Sequence, residues 1–469
     1  MNPIEAVFEH GRQNPAAIAV ASADFSMTAA DLEQSVLRFA ARLRQLGVVK
    51  GSVVAVRAHP AVEAVVILAL LHEGAISLSG TPGVLRAYSA NIDLVIADGP
   101  VQTSARLVVV DAEFLTALGA VSIDIRPTQL APDDVVRIVF SSGTTGTPKG
   151  VEFTVAALLA RTDAAHTNWM PAAPFMCLLG LDTVSGIQTF YWSAFHGETY
   201  FVASDGPRNR AVIERYGVRS IKTSPARLAD LLDAGPTTTL EVVQVAGSLL
   251  TPSLGQRTQE VLGTTPVYLY GSTEVGTVTS GPFDGSRPHV VGRLIPTVDF
   301  ELVNAAGQPV TTPDTEGVIR YRSVVMVDHY WLTPADPSSA FRDGWFYPGD
   351  LGTLSATGEL HISGRTNDVV NAAGAKFNLA ELDIWLAELR IFEDAASFSF
   401  GTDAGTAVGV AFVAKPHVDG GIALEQLTAR FPNLAVSALL KLDAIPRNQL
   451  GKVDRRALVE LLENGPSTG

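Results

Sequence analysis

With 469 residues, 47% of them apolar and 17% charged, the chain can bury a large core and is too long for a single one. At roughly 150 residues per domain, two or three units are expected. Its 48 acidic residues outnumber 34 Lys and Arg, for a formal charge of -14; this argues against nucleic acid and anionic membrane as partners, since both need clustered basic groups. Cys177 is the only cysteine, so an intrachain disulfide and a multi-cysteine metal cluster are excluded, and a reducing, cytoplasmic location fits. The start of the chain lacks the basic and apolar regions of a signal peptide. The most apolar run, Ala64 to Leu71, falls far short of the roughly 20 residues that span a bilayer and reads as a buried helix.

In chain order, Thr28 to Asp31 followed by Leu32, Val36, Phe39, Ala40, Leu43 and Leu46 predicts a capped amphipathic helix, with Gly47 placed to end it. Ser52 to Arg57, Ile92 to Ile96 and Leu107 to Val110 predict short strands around a helix over Ala61 to His72, the texture of a parallel sheet covered on both faces. Val136 to Phe140 predicts a buried strand that empties into Ser141-Ser142-Gly143-Thr144-Thr145-Gly146-Thr147-Pro148-Lys149-Gly150. Such a loop suits an anion, because glycines let backbone N–H groups approach closely while hydroxyls and a lysine add donors and charge. Its spacing differs from a Walker loop, since Gly150 rather than Ser or Thr follows Lys149. A helix is predicted over Phe153 to His166, then turn, helix, turn and strand over Gly180 to Val202, and strands at Val218 to Lys222 and Leu240 to Val245. From Val298 to Tyr321 alternating strands and turns suggest a β-rich lobe.

Ser141 to Gly150 resembles the phosphate-loop signature of the adenylate-forming superfamily, which holds acyl- and aryl-CoA ligases, adenylation domains of peptide synthetases and luciferases. Three further stretches resemble the same superfamily, in its order and spacing: Tyr270-Gly271-Ser272-Thr273-Glu274, Asp343 to Gly352 followed by Gly364-Arg365, and Pro446 to Lys452. The resemblance implies an α/β fold: a large N-terminal domain of packed α/β subdomains plus a β-rich lobe over 1–365, and a small mobile α+β domain over 366–469. It implies ATP and Mg²⁺, with Ser141, Ser142, Gly143, Thr144, Thr145, Gly146 and Lys149 on the phosphates. Glu274 would bind the metal, Thr273 would touch the α-phosphate, and Tyr270 with Gly271 would pack at adenine. Asp350 would hold the ribose, with Arg365 nearby. Lys452 would bridge the substrate carboxylate and the α-phosphate as the catalytic residue. Gly247 and Ser248, in the small-residue stretch Val245 to Leu250, would line the adenine site, and Ala246 and Leu269 the acyl pocket.

The sequence departs from the superfamily's pattern at two places. Tyr347-Pro348 replaces a more usual Arg-Thr, and Asn367 holds the pivot position where Asp or Lys is common. At the entrance of the acyl-pocket helix stands Asp182, where many relatives carry His or an aromatic residue. It either caps that helix, the simpler reading, or meets an amine or hydroxyl on the substrate; both roles are compatible. Gln188, Tyr191 and Trp192 follow at helical spacing, which favours core over pocket. The implied reaction activates a small carboxylic acid as acyl-AMP, releases pyrophosphate, and passes the acyl group to CoA or the phosphopantetheine of an acyl-carrier protein. Transfer to an amine and a non-catalytic nucleotide-binding homologue are the alternatives.

Overall fold

The computed structural model describes residues 2–469 apart from 124, 142–146, 170–172, 334–339, 367, 373–374, 390, 403–404, 416–424, 426–428, 430–435, 448–451 and 465–469. Of the predicted site residues, Ser142, Gly143, Thr144, Thr145 and Gly146 lie outside the described residues, as does Asn367.

Two α/β sheets form the bulk of the chain. In the first, the strands run Arg106–Val109, Leu94–Ala97, Val53–Arg57, Ile76–Ser79, Val135–Ser141 and Lys149–Thr154; every pairing is parallel except the last. Leu94–Ala97 is buried throughout, as parallel strands covered by helices require. Pro60–Glu73 is buried from Ala64 onward and ends at Gly74 in the left-handed conformation, so the long apolar run is a core helix. The predicted N-terminal helix is Ala29–Gln45, closed by a reciprocal capping box between Thr28 and Asp31.

In the second sheet, Phe175–Cys177, Ser220–Thr223, Val242–Val245 and Val267–Ser272 run parallel. The order then continues through antiparallel strands Gly276–Pro282, Val290–Leu294, Glu359–Arg365, Asp350–Leu354 and Gly317–Arg322. The β-rich texture read in the sequence is present as strands, and backbone pairing carries them directly onto the parallel strands. One difference lies at Phe153, which belongs to the strand Lys149–Thr154 paired with Val135–Ser141, so the helix begins only at Val155. β-Branched and aromatic side chains at Val151 and Phe153 favour the pleated form locally.

Beyond Arg365, a hairpin of Val369–Ala372 with Ala375–Asn378 leads to the helix Leu379–Glu388, a sheet of Phe392–Thr402, Gly405–Ala414 and Val436–Lys441, and a last helix, Arg455–Asn464. No helix among the described residues is long and apolar enough to cross a membrane.

Candidate active site

The carboxyl ends of parallel strands carry the first two predicted motifs, one in each sheet, and in open α/β sheets ligands bind in the crevice outside those ends. Ser141 pairs with Lys149 on the antiparallel strands that flank the predicted phosphate loop. Lys149 Nζ stands 5.0 Å from the centre of the Tyr330 ring, and the Tyr330 hydroxyl donates to Glu274 Oε1 at 2.9 Å. One tyrosine thus ties the first motif to the second. Burial, reinforced by the Glu274 carboxylate, holds that phenol well above its ordinary pKa, so it stays a donor.

Glu274 sits in the turn joining Val267–Ser272 to Gly276–Pro282 and is 5% exposed. That hairpin is tight. A Cβ on Gly271 would lie 2.2 Å from the Gly276 carbonyl oxygen, so only glycine fits there. The turn is also held from outside: Arg161, in the helix Val155–Trp169, donates to Thr273 O at 2.9 Å, Glu274 O at 2.6 Å and Val325 O at 2.8 Å. Desolvation brings this guanidinium down to about 10, against the pull of Glu274; it remains a cation at neutral pH.

Asp350 and Arg365 face each other on adjacent antiparallel strands. Arg365 Nε donates to Asp350 Oδ1 at 2.9 Å, and the Tyr270 hydroxyl donates to Asp350 Oδ2 at 2.6 Å, so the second and third motifs meet at this carboxylate. Tyr347 is engaged away from it, accepting from Arg320 Nη1 at 2.9 Å, while Pro348 O accepts from Arg365 Nη2 at 3.3 Å.

Lys452 enters from the C-terminal region. The residue as a whole is exposed. Desolvation first, then Arg365, push its pKa down, while Asp350 and Glu274 draw it up.

Ala246, Gly247 and Ser248 follow the strand Val242–Val245 at the same sheet end, with Gly247 at φ 95°. Ala246 N–H donates to Thr223 O at 2.9 Å, and Leu269 is buried at 2% exposure. The capping role expected of Asp182 belongs instead to Thr183, whose hydroxyl accepts from Gly186 N–H at 3.0 Å. Asp and Thr are both good caps, and the helix begins one residue later than that reading needs. Asp182 is half-buried, and desolvation raises its pKa against Arg137 and Arg227; its charged surroundings are thus separate from the Glu274–Lys452 group. Tyr191 and Trp192 are buried core, as their spacing implied.

Tyr330, Arg161 and Arg137 escaped sequence reasoning. The aromatic doublet Tyr330-Trp331 and single arginines within otherwise apolar elements were the available signals.

The donor set fits Mg²⁺ with a nucleotide triphosphate. No group of three or more His, Cys, Asp or Glu among the described residues could hold a metal, and Mg²⁺ ordinarily takes one or two carboxylates together with phosphate oxygens. Glu274, nearly buried and bonded by Tyr330, whose ring Lys149 overlies, suits that arrangement.

A family model described as AMP-binding enzyme matches residues 7–331. The chain is 28% identical over 504 residues to the salicyl-AMP ligase / salicyl-S-ArCP synthetase of Mycobacterium tuberculosis, covering 94% of this chain and 86% of that one. It is 25% identical over 362 residues to the 3-hydroxybenzoate--CoA/4-hydroxybenzoate--CoA ligase of Thauera aromatica, covering 71% and 68%. In fold it is similar to ATP-bound MatB from Rhodopseudomonas palustris, with TM-score 0.85, 21% identity and 99% of each chain covered. It is also similar to o-succinylbenzoate CoA synthetase from Bacillus subtilis with ATP and magnesium, with TM-score 0.83, 20% identity, and 97% and 99% covered.

Proposed function

This chain is a member of the AMP-binding enzyme family, and from that premise we propose that it activates a small carboxylic acid with ATP and hands the acyl group to a thiol, of CoA or of a carrier-protein pantetheine. The observation that carries this reading is the bonded pair of carboxylates at one sheet end, Asp350 held by Tyr270 and Arg365, and Glu274 by Tyr330.

A carboxylate is a poor acyl donor because its leaving group would be oxide. In the proposed first step a substrate carboxylate oxygen bonds to the α-phosphorus, the bond to the bridging β-phosphate oxygen breaks, and pyrophosphate leaves. Negative charge is shared among the phosphoryl oxygens, so positioning and electrostatic stabilisation suffice. Lys452 holds the incoming carboxylate against the α-phosphate, Lys149 and the phosphate loop hold the departing end, and Asp350 accepts the ribose hydroxyls. Mg²⁺, held by Glu274, would neutralise phosphate charge. Tyr270 fixes Asp350, Tyr330 fixes Glu274, and Arg161 fixes the turn that carries Thr273 and Glu274. The hydroxybenzoate and salicyl substrates named for relatives support a small, aromatic acid.

We further propose two units, 1–365 and 366–469. The buried clusters built around Val370, Leu382 and Phe412, and around Phe398, Ile445 and Leu458, draw on residues beyond 366 alone. Contacts between the units include Ser253 N–H to Glu388 Oε1 at 3.2 Å and Asn378 to Ser363 O.

The test is acid-dependent pyrophosphate release from MgATP across small aryl and acyl acids, with Lys452→Ala in parallel. Release with at least one acid, lost in the variant, is expected. Binding of ATP with no release on any acid would refute the reading.

A further inference from the structure

Lys452 lies between two arginines, and both fasten its flanks to the same strand, Phe392–Thr402. On the N-terminal side Arg447 Nε donates to Asp394 Oδ2 at 2.9 Å and its Nη2 to Asp394 Oδ1 at 2.7 Å. On the C-terminal side stands Arg455, the first residue of the last helix. Its Nε donates to Ser397 O at 3.1 Å and its Nη2 to Asp383 Oδ2 at 2.6 Å, while Asp383 Oδ1 accepts the Ser397 N–H at 2.6 Å. The flanks are also tied to each other: Arg447 and Val453 form an antiparallel bridge, and Asp454 N–H donates to Pro446 O at 2.8 Å.

The two arms differ in what else they reach. Arg455 Nη1 lies 3.4 Å from Asp368 Oδ2. Asp368 N–H donates to Arg365 O at 3.1 Å, and Arg365 Nε holds Asp350 at 2.9 Å. Through Arg455, therefore, the strand end that carries the predicted ribose carboxylate meets the segment that carries Lys452. A guanidinium suits this junction, because its planar fork serves several acceptors at once and keeps its charge at any working pH. The two carboxylates it joins have side chains only 19% and 21% exposed, so solvent screens the pairs weakly. Lysine itself has a flexible four-carbon stem. Where its ammonium goes depends on how firmly the backbone beneath it is held, and a misplacement of about 1 Å can cost on the order of a hundredfold in rate.

We infer that Arg455, anchored by Asp368 and Asp383, is the positioning residue for Lys452 and sets that lysine against the Asp350–Arg365 pair. This deepens the adenylation reading and rests on it. Arg455 touches neither acid nor nucleotide in this role; it holds the backbone three residues from the lysine, and no proton or bond changes hands through it.

The experiment follows pyrophosphate release from MgATP with the best acid, on the full chain, for Arg455→Gln, Arg455→Lys and Asp368→Asn, with the first and last repeated in Lys452→Ala. Arg455→Gln should lower kcat by on the order of thirtyfold, with KM for ATP within about threefold. Arg455→Lys should recover part of that loss. Asp368→Asn leaves the Asp383 and Ser397 bonds in place and should lower kcat severalfold. In Lys452→Ala neither substitution should cost further rate, because a residue that acts through the lysine then has nothing to position, whereas a merely structural role would lower the rate equally in both backgrounds. Where Arg455→Gln fails to fold, Asp368→Asn carries the same comparison. An equal loss in both backgrounds, a loss that falls on KM for ATP, or a wild-type kcat in the Arg455 and Asp368 variants beside a crippled Lys452→Ala would overturn the inference and leave the adenylation reading standing. Undiminished release by Lys452→Ala alone would refute the lysine's role and this inference with it.

Discussion

Tyr270→Phe isolates one contact in the cleft. The ring and its edge-on packing against Tyr321, with centroids 6.2 Å apart, remain; only the hydroxyl that donates to Asp350 Oδ2 at 2.6 Å is lost. That length is typical of a bond to an ionised acceptor, and such bonds contribute roughly 1.5–3 kcal/mol. Asp350 keeps Arg365 Nε on its other oxygen at 2.9 Å, so the carboxylate stays in place but gains torsional freedom. The lower end of the range therefore applies, about 1.5 kcal/mol, or about tenfold. If Asp350 must be prealigned to accept the ribose hydroxyls, the loss falls on nucleotide binding: KM for ATP should rise about tenfold, with kcat within about threefold. Pyrophosphate release measured against ATP at saturating acid reads both constants. An unchanged KM for ATP, beside a large rise in Asp350→Ala, would show that Tyr270 does not align the carboxylate and would refute the argument.

Lys452→Ala should lower pyrophosphate release by at least about a hundredfold with nucleotide affinity within a few-fold, as expected for a charge acting chiefly in the transition state. Because the folded pKa of Lys452 is depressed by burial and by Arg365, the ammonium is lost at lower pH than in an ordinary lysine. The wild-type rate should therefore have an alkaline limb that flattens in Lys452→Arg, whatever that variant's maximum. Arg161→Leu strips the donors from the Thr273, Glu274 and Val325 carbonyls; a lower thermal midpoint and a KM for MgATP raised about tenfold are expected, each unmet carbonyl costing roughly 1–3 kcal/mol before water relieves it. Glu63, pushed up to about 7 by desolvation, binds more protons folded than unfolded. Its effect on stability is fully favourable only below the ordinary carboxylate range and fades as pH rises towards the folded value. The difference is of order 2 kcal/mol after solvent screening, and a urea midpoint that falls with rising pH in wild type but less so in Glu63→Gln would reveal it.

What the sequence made legible was what local chemistry decides. The Thr28–Asp31 capping box, Gly47 at positive φ just past Ala29–Gln45, and the parallel strands all follow from local residue patterns. Where two local signals compete, a shift of one residue changes the outcome. Asp182 and Thr183 are both cap formers, and only the seating of Gly186 against the Gly180 carbonyl, 2.0 Å from where a Cβ would stand, shows how closely the helix start is packed. The β-rich stretch was legible as strands but not as an extension of the parallel sheet, because its neighbours are chosen by backbone pairing across long sequence gaps, as between Val290–Leu294 and Glu359–Arg365.

The same division runs through the site. Glu274, Asp350 and Lys452 stand out because each sits in a short stretch whose composition is unusual for its length. Their supports do not. Arg161 reaches carbonyls more than a hundred positions away, Tyr330 reaches Glu274 across 56, and Arg137 passes for one polar residue in an apolar strand. A side chain that bonds backbone carbonyls leaves no complementary residue type at its target, so no pattern marks the partner. A carboxylate that must be oriented rather than merely present needs such supports, and a motif match alone therefore cannot separate a working cleft from a decayed one. Arg161 and Tyr330 are intact around Glu274, and Tyr270 and Arg365 around Asp350, which favours a catalytic chain over a nucleotide-binding relic.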